Sequence, residues 1–287
     1  MKDQAEALRK KMEKKLNGCK VKTLAVVSGK GGVGKSNFSL NFAISLCNQG
    51  RKVLLFDMDI GMGNIDILIG KHAKHSIVDY FDNDLPLGQI VSKGPGSLEY
   101  IAGGSGLNRL FNVEDAKLEK FAAELSSLID HYDYVIFDMG AGVSKQSMHF
   151  ILSTDEIIVI STPEPTSLTD AYAMMKHIHL ENHTGPFYVV INRVQKEKEG
   201  KNAFKRLEMV AKRFLERDLF FLGSIPDDKS IPKAVTSQTP FIFNEKSQAS
   251  RAILKMSEIY MKQQLEAPIE INHVSFVSKL KRFLFER

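Results

Sequence analysis

Short apolar runs recur along the chain at 24–27, 53–56, 98–102, 134–137, 157–160, 188–191 and 219–222. Runs this short, with little polar alternation, read as strands buried on both faces, the pattern of a parallel sheet. Between most of them, for example at 114–128, 168–180 and 202–215, and again after the last at 245–265, lie helix-patterned segments. Alternation of the two predicts an α/β fold, a doubly wound, mostly parallel sheet with helices on both faces. In such a fold ligands bind at the carboxyl ends of the strands.

Both ends of the chain depart from this pattern. Residues 3–16 set Ala5, Leu8, Met12 and Leu16 at helical spacing among lysines, and Asn17-Gly18 closes the run, so 1–20 reads as a basic helix ahead of the main domain at 21–265. Glu266-Ala267-Pro268 opens a linker over 266–272. In the final segment, 273–287, Phe276, Val277, Leu280, Phe283 and Leu284 share an arc of about 120° when placed at 100° per residue, flanked by Lys279, Lys281 and Arg282. That composition suits a helix lying in an anionic membrane interface, with docking on the domain as the alternative.

Composition and charge narrow the picture. At 287 residues and 43% hydrophobic content the chain can bury one large core. Its net charge of +5 sits at the ends: residues 1–22 carry +5 and 273–287 carry +3, leaving −3 on the body. An evenly basic nucleic-acid surface is therefore not expected, although 193–217 holds nine basic and four acidic residues. Two cysteines, Cys19 and Cys47, exclude a disulfide scaffold. No apolar run approaches the roughly 18 residues of a membrane span, and the charged N-terminal residues are unlike an export signal, so a cytoplasmic protein is expected.

The chemistry is concentrated at predicted strand ends. After 24–27 comes Gly29 to Ser36 in the pattern Gly-x-x-x-x-Gly-Lys-Ser, a phosphate-binding P-loop between a strand and a helix. Gly31, Gly32 and Gly34 permit positive φ and close backbone approach, Lys35 would reach the β and γ phosphates, and the Ser36 hydroxyl would hold Mg²⁺. Asp57-Met58-Asp59 follows the second strand, where an acid can orient an attacking water or hold a water of the Mg²⁺ shell. Asp138-Met139-Gly140-Ala141-Gly142 follows the run 134–137, so Asp138 would hold Mg²⁺ through water and the glycines would sense a γ-phosphate. His177, His179 and His183 include one i, i+4 spacing without a carboxylate to complete a zinc set.

Lys30, opening Lys30-Gly31-Gly32-Val33-Gly34-Lys35-Ser36, resembles the deviant Walker A motif of the MinD/ParA family of P-loop NTPases. The likeness runs from about residue 22 to 265. It implies a slow, Mg²⁺-dependent ATPase that is a monomer with ADP and a homodimer with ATP, with Gly29 through Val33, Gly34, Lys35, Ser36 and Asn37 around the phosphates. The resemblance further implies that Lys30 reaches phosphates held by a second subunit, that Asp59 positions the water, and that Asp57 supports the loop and metal shell. Asn192 and Arg193, with Pro226 and Asp227, would surround the adenine.

Within that class the chain is most similar to the FlhG regulators of flagellar number and placement. Asp3-Gln4-Ala5-Glu6-Ala7-Leu8-Arg9 resembles the segment by which FlhG stimulates the signal-recognition-type (SRP) GTPase FlhF, with Gln4, Leu8 and Arg9 as its contacts. Gly140 stands where MinD proper typically has proline, and Asp-x-Gly-Ala-Gly looks more like FlhG. The implied protein cycles from cytoplasm to an anionic membrane surface when ATP-bound, with FlhF and flagellar basal-body or C-ring proteins as partners; nucleic acid is not expected. A MinD-type division-site ATPase and a ParA-type DNA partition ATPase are the alternatives.

Overall fold

The structure, a computed structural model, describes residues 21–59, 63–103, 115–140, 142, 145–266 and 275–285. Its strands are β1 (Lys22–Val27), β2 (Val53–Met58), β3 (Val91–Lys93), β4 (Glu99–Ile101), β5 (Tyr134–Met139), β6 (Glu156–Ser161), β7 (Phe187–Val194) and β8 (Leu219–Pro226). They form one sheet in the order β3-β4-β2-β5-β1-β6-β7-β8, parallel throughout except where β3 pairs antiparallel with β4. The expected doubly wound sheet is present. The short edge strand β3 had no apolar run to announce it, because its Val91-Ser92-Lys93 is not buried.

Helices cover both faces. Their order is α1 (Lys35–Asn48), α2 (Ile65–Ile69), α3 (Ile77–Asn83), α4 (Asp115–Ile129), α5 (Lys145–Ser153), α6 (Pro165–Leu180), α7 (Glu197–Leu215), α8 (Ser230–Thr236), α9 (Gln248–Glu266) and α10 (Phe276–Phe285). Successive strand residues point to opposite faces, so Leu24, Val26 and Ile136 enter one apolar cluster with α1, α2 and α9, while Ala25, Val27 and Phe137 enter the other with α3 through α7 and α10. α1 is buried on nearly every side, which is why its sequence shows no apolar stripe. Its polar residues are satisfied internally: Asn41 accepts from the Ile242 amide at 2.8 Å, and the Ser45 and Ser257 hydroxyls lie 2.7 Å apart.

The C-terminal helix takes the docked arrangement that stood as the alternative to a membrane interface. α10 packs on α4 and α5 with Phe276, Val277 and Leu280 buried in the domain's own core. Phe276 stacks on Phe137 of β5 at 4.8 Å, Phe283 stacks on His149 of α5 at 5.5 Å, and Lys279 Nζ lies 3.6 Å from Asp155 Oδ1. The apolar arc that suits a bilayer is here spent on protein. The Leu284 side chain lies outside the described residues, as do Gln4, Leu8, Arg9 and the linker from residue 267.

Candidate functional site

The order of the strands reverses direction around β1, and the loop leaving its carboxyl end is the P-loop. Gly32 (φ 75°) and Gly34 (φ 94°) adopt left-handed backbone, which brings the loop round to the start of α1. No side chain caps that helix, so its first amides remain free to receive an anion. Gly29 is required for a different reason. A Cβ there would overlap the Asp170 carbonyl, because α6 passes directly against the loop.

β2 and β5 are register partners at Asp57 and Asp138, so the two carboxylates stand side by side at the sheet's carboxyl edge. Lys35 Nζ is 3.3 Å from Asp138 Oδ1, and both side chains are buried. The Ser39 hydroxyl, one turn beyond Lys35, lies 2.8 Å from the same oxygen. Asp138 Oδ2 is buried without a hydrogen-bond partner. An orphaned oxygen on the carboxylate that meets Lys35, the residue before Ser36, fits a hard cation, which needs only one or two protein oxygens when phosphates and water complete its shell. No cluster of three or more His, Cys, Asp or Glu forms a metal site among the described residues, and His183 instead lies buried with Nε2 3.1 Å from the Thr154 carbonyl.

Asp57 serves the loop. Its Oδ1 accepts from the Asp59 amide at 3.0 Å and its Oδ2 from the amides of Asn64 and Ile65 at 3.0 and 3.3 Å, tying the segment after β2 to the start of α2. Burial, reinforced by the charge of Asp138, pushes the Asp57 carboxyl up to about 7. Asp59 is half-buried beside the loop after β5: a methyl added at Gly140 would sit 3.3 Å from its Oδ1. That contact brings together the two loops expected to hold the attacking water and sense the γ-phosphate.

Asn192 and Arg193 close the site from β7. Asn192 Nδ2 donates to the Val33 carbonyl at 2.7 Å, its Oδ1 accepts from the Arg193 amide at 2.8 Å, and Arg193 donates to the Gly32 carbonyl at 2.7 Å. These side chains clamp the P-loop, an interaction the strand-end position alone did not reveal. Arg193 needs a left-handed backbone (φ 59°) to reach it. Pro226 pairs with Val194 at the end of β8, and Asp227 receives the Gln195 side-chain amide at 2.9 Å, so both border the same rim. Lys30 is half-exposed, with Nζ 3.8 Å from Glu164 Oε2. Such a loose pair leaves it able to swing toward another ligand. Sequence reasoning missed Ser39 and Glu164; the signal for Ser39 was a hydroxyl four residues after the P-loop lysine in a helix otherwise buried.

A parallel sheet with a P-loop after β1, an uncapped helix start and paired strand-end carboxylates defines a P-loop nucleotide hydrolase. The chain belongs to the CobQ/CobB/MinD/ParA nucleotide-binding family, whose domain it matches over residues 24–241, and it is an ATPase of the MinD/ParA type. It is 34% identical over 218 residues to the antiactivator FleN of Pseudomonas aeruginosa, covering 76% of this chain and 78% of FleN. It is 35% identical over 216 residues to the flagellum site-determining protein YlxH of Helicobacter pylori, covering 75% and 72%. The fold matches the septum site-determining protein MinD of Pyrococcus horikoshii, solved with Mg-ADP, with a TM-score of 0.69 at 23% identity over 86% of this chain and 99% of that one.

Proposed function

We propose that this chain is an ATP-driven switch that attaches to the membrane as an ATP-bound homodimer, returns to the cytosol as an ADP-bound monomer, and acts on flagellar number and placement. The observation that carries the reading is the seat of α10. Phe276 stacks on Phe137, the residue before Asp138, and α10 rests on α5, the first helix after β5. A γ-phosphate that engaged Gly140 and, through Mg²⁺ and its water, Asp138 would shift α5 and with it the floor under the tail. The freed apolar arc would enter an anionic interface, and two tails on one dimer would raise avidity by roughly 10² or more.

In the assembled site Mg²⁺ would be held by Ser36 and, through water, Asp138; Lys35 and Lys30 of the partner subunit would neutralise the phosphates, and Asp59 would orient the water. Support for the flagellar role comes from the likeness to the flagellum site-determining protein YlxH. Residues 3–9 further support FlhF as the GTPase partner, with basal-body or C-ring proteins beyond it. The test is co-sedimentation with anionic liposomes in ATP and in ADP, with and without residues 273–287. Pelleting in ATP alone that vanishes with the tail is expected; equal pelleting in both nucleotides, or none in either, overturns the reading.

One observation keeps a DNA-partition reading as the second choice: Lys198, Lys201, Lys205, Arg206, Lys212 and Arg213 are exposed on α7. ATP-dependent, salt-sensitive binding to nonspecific DNA would favour it.

A further inference from the structure

The first described residues of the chain and its C-terminal helix converge on one carboxylate. Asp155 Oδ2 accepts from the Thr23 amide at 3.0 Å and lies 2.8 Å from the Thr23 hydroxyl, while Oδ1 faces Lys279 of α10. Val21 packs against the same apolar cluster that contains Phe276, Val277 and Leu280. The described residues therefore begin two positions before Thr23, which shares Asp155 with Lys279 of α10.

That groove is fitted to a basic amphipathic helix: apolar side chains one turn apart, at 276 and 280, and a lysine at 279 for Asp155. The same spacing stands in the N-terminal segment. Leu8, Lys11, Met12 and Leu16 are related to one another as Phe276, Lys279, Leu280 and Leu284 are. Arg9 and Lys15 occupy the places of Val277 and Phe283, which makes the N-terminal version the more polar and weaker ligand. Its tether compensates in part. Residues 17–20 span at most about 13 Å, so the segment is held near the groove at an effective concentration on the order of millimolar.

We propose that residues 3–16 occupy this groove when α10 leaves it, so that the two terminal segments are alternative ligands of one site. The proposal rests on the reading that the tail can be released. A vacated groove would otherwise present Phe150 and the flank of Phe137 to water, the kind of apolar surface that proteins cover. The consequence is reciprocal coupling of the two ends. With the tail docked, residues 3–16 are available to a protein partner; with the tail in a bilayer, they are held on the domain. A partner that captures residues 3–16 removes the competitor and favours return of the tail.

Hydrogen exchange on the full chain in ADP, without lipid, tests this. Three proteins are compared: wild type, a tail-undocked variant carrying Phe276→Asp and Leu280→Asp, and that variant with Leu8→Asp and Met12→Asp added. Binding of a fluorescent ADP confirms folding, since none of the four positions lies at the nucleotide site. The expected result is that amides of residues 3–16 exchange about tenfold more slowly in the tail-undocked variant than in wild type, and that the added substitutions abolish the difference. Equal exchange of residues 3–16 in wild type and the tail-undocked variant, with residues 275–285 protected in wild type, overturns the proposal alone. Fast exchange of 275–285 already in wild type overturns the docked tail and the proposal with it.

Discussion

Replacing Asp155 by asparagine isolates the hold of the domain on its tail, because it leaves every residue of α10 unchanged. The carboxylate faces two ways: Oδ2 toward the Thr23 amide and hydroxyl, Oδ1 toward Lys279 Nζ at 3.6 Å. An asparagine carbonyl can take the place of Oδ2 and keep the bonds to Thr23, which turns its NH₂ toward Lys279 and removes the attraction there. At an effective dielectric of about 20, opposite charges this far apart attract by about 4–5 kcal/mol, an upper bound. Lys279 is 30% exposed, so solvent returns most of that, and a net loss of about 1–2 kcal/mol is the reasonable figure. The undocked fraction should rise about 5- to 30-fold, and the apparent lipid partition coefficient in ADP should rise by the same factor, since only undocked tail can insert. The assay is titration with anionic liposomes in ADP and in ATP. A variant that partitions like wild type in ADP would refute the latch. An equal gain in ATP would refute it too, because a tail already released has no latch to lose.

Three further outcomes follow from the site and the core. Asp59→Ala should stop phosphate release while preserving an ATP-dependent dimer; hydrolysis at the wild-type rate would remove Asp59 from the reaction. Lys30→Ala should leave ATP binding intact but prevent dimerisation, read by light scattering, and a dimer formed in ATP would contradict a contact across the interface. The third concerns His183, whose pKa burial lowers from 6.5 to about 4, so the folded chain keeps it neutral. Its contribution is fully present above pH 6.5 and is lost as pH falls toward 4; between pH 7.5 and 5 the loss should be about 2 kcal/mol. Urea melts of wild type and His183→Gln at both pH values check this, and identical pH dependence in the two proteins would contradict it.

What was legible in the sequence was local. The P-loop is nine consecutive residues from Ser28 to Ser36, and Asp57, Asp59, Asp138 and Asn192 each end or follow an apolar run, so a strand-end rule finds them without knowledge of the strand order. The clamp from Asn192 to Val33 and the tie from Asp57 to Asn64 were hidden, because both depend on where a distant or returning backbone segment places a carbonyl or an amide. The tail was hidden for a deeper reason. An arc of Phe276, Val277 and Leu280 beside lysines states that the helix needs an apolar surface and an anionic one; it does not state whose. A bilayer offers hydrocarbon and phosphate, and the domain offers Phe137, Phe150 and Asp155. A helix that alternated between the two would have to satisfy both with one set of side chains, so one arc of residues can read as membrane-binding in the sequence and pack as core in the fold. The choice between them lies in the surface under the helix, and that surface adjoins Asp138, where the nucleotide would act.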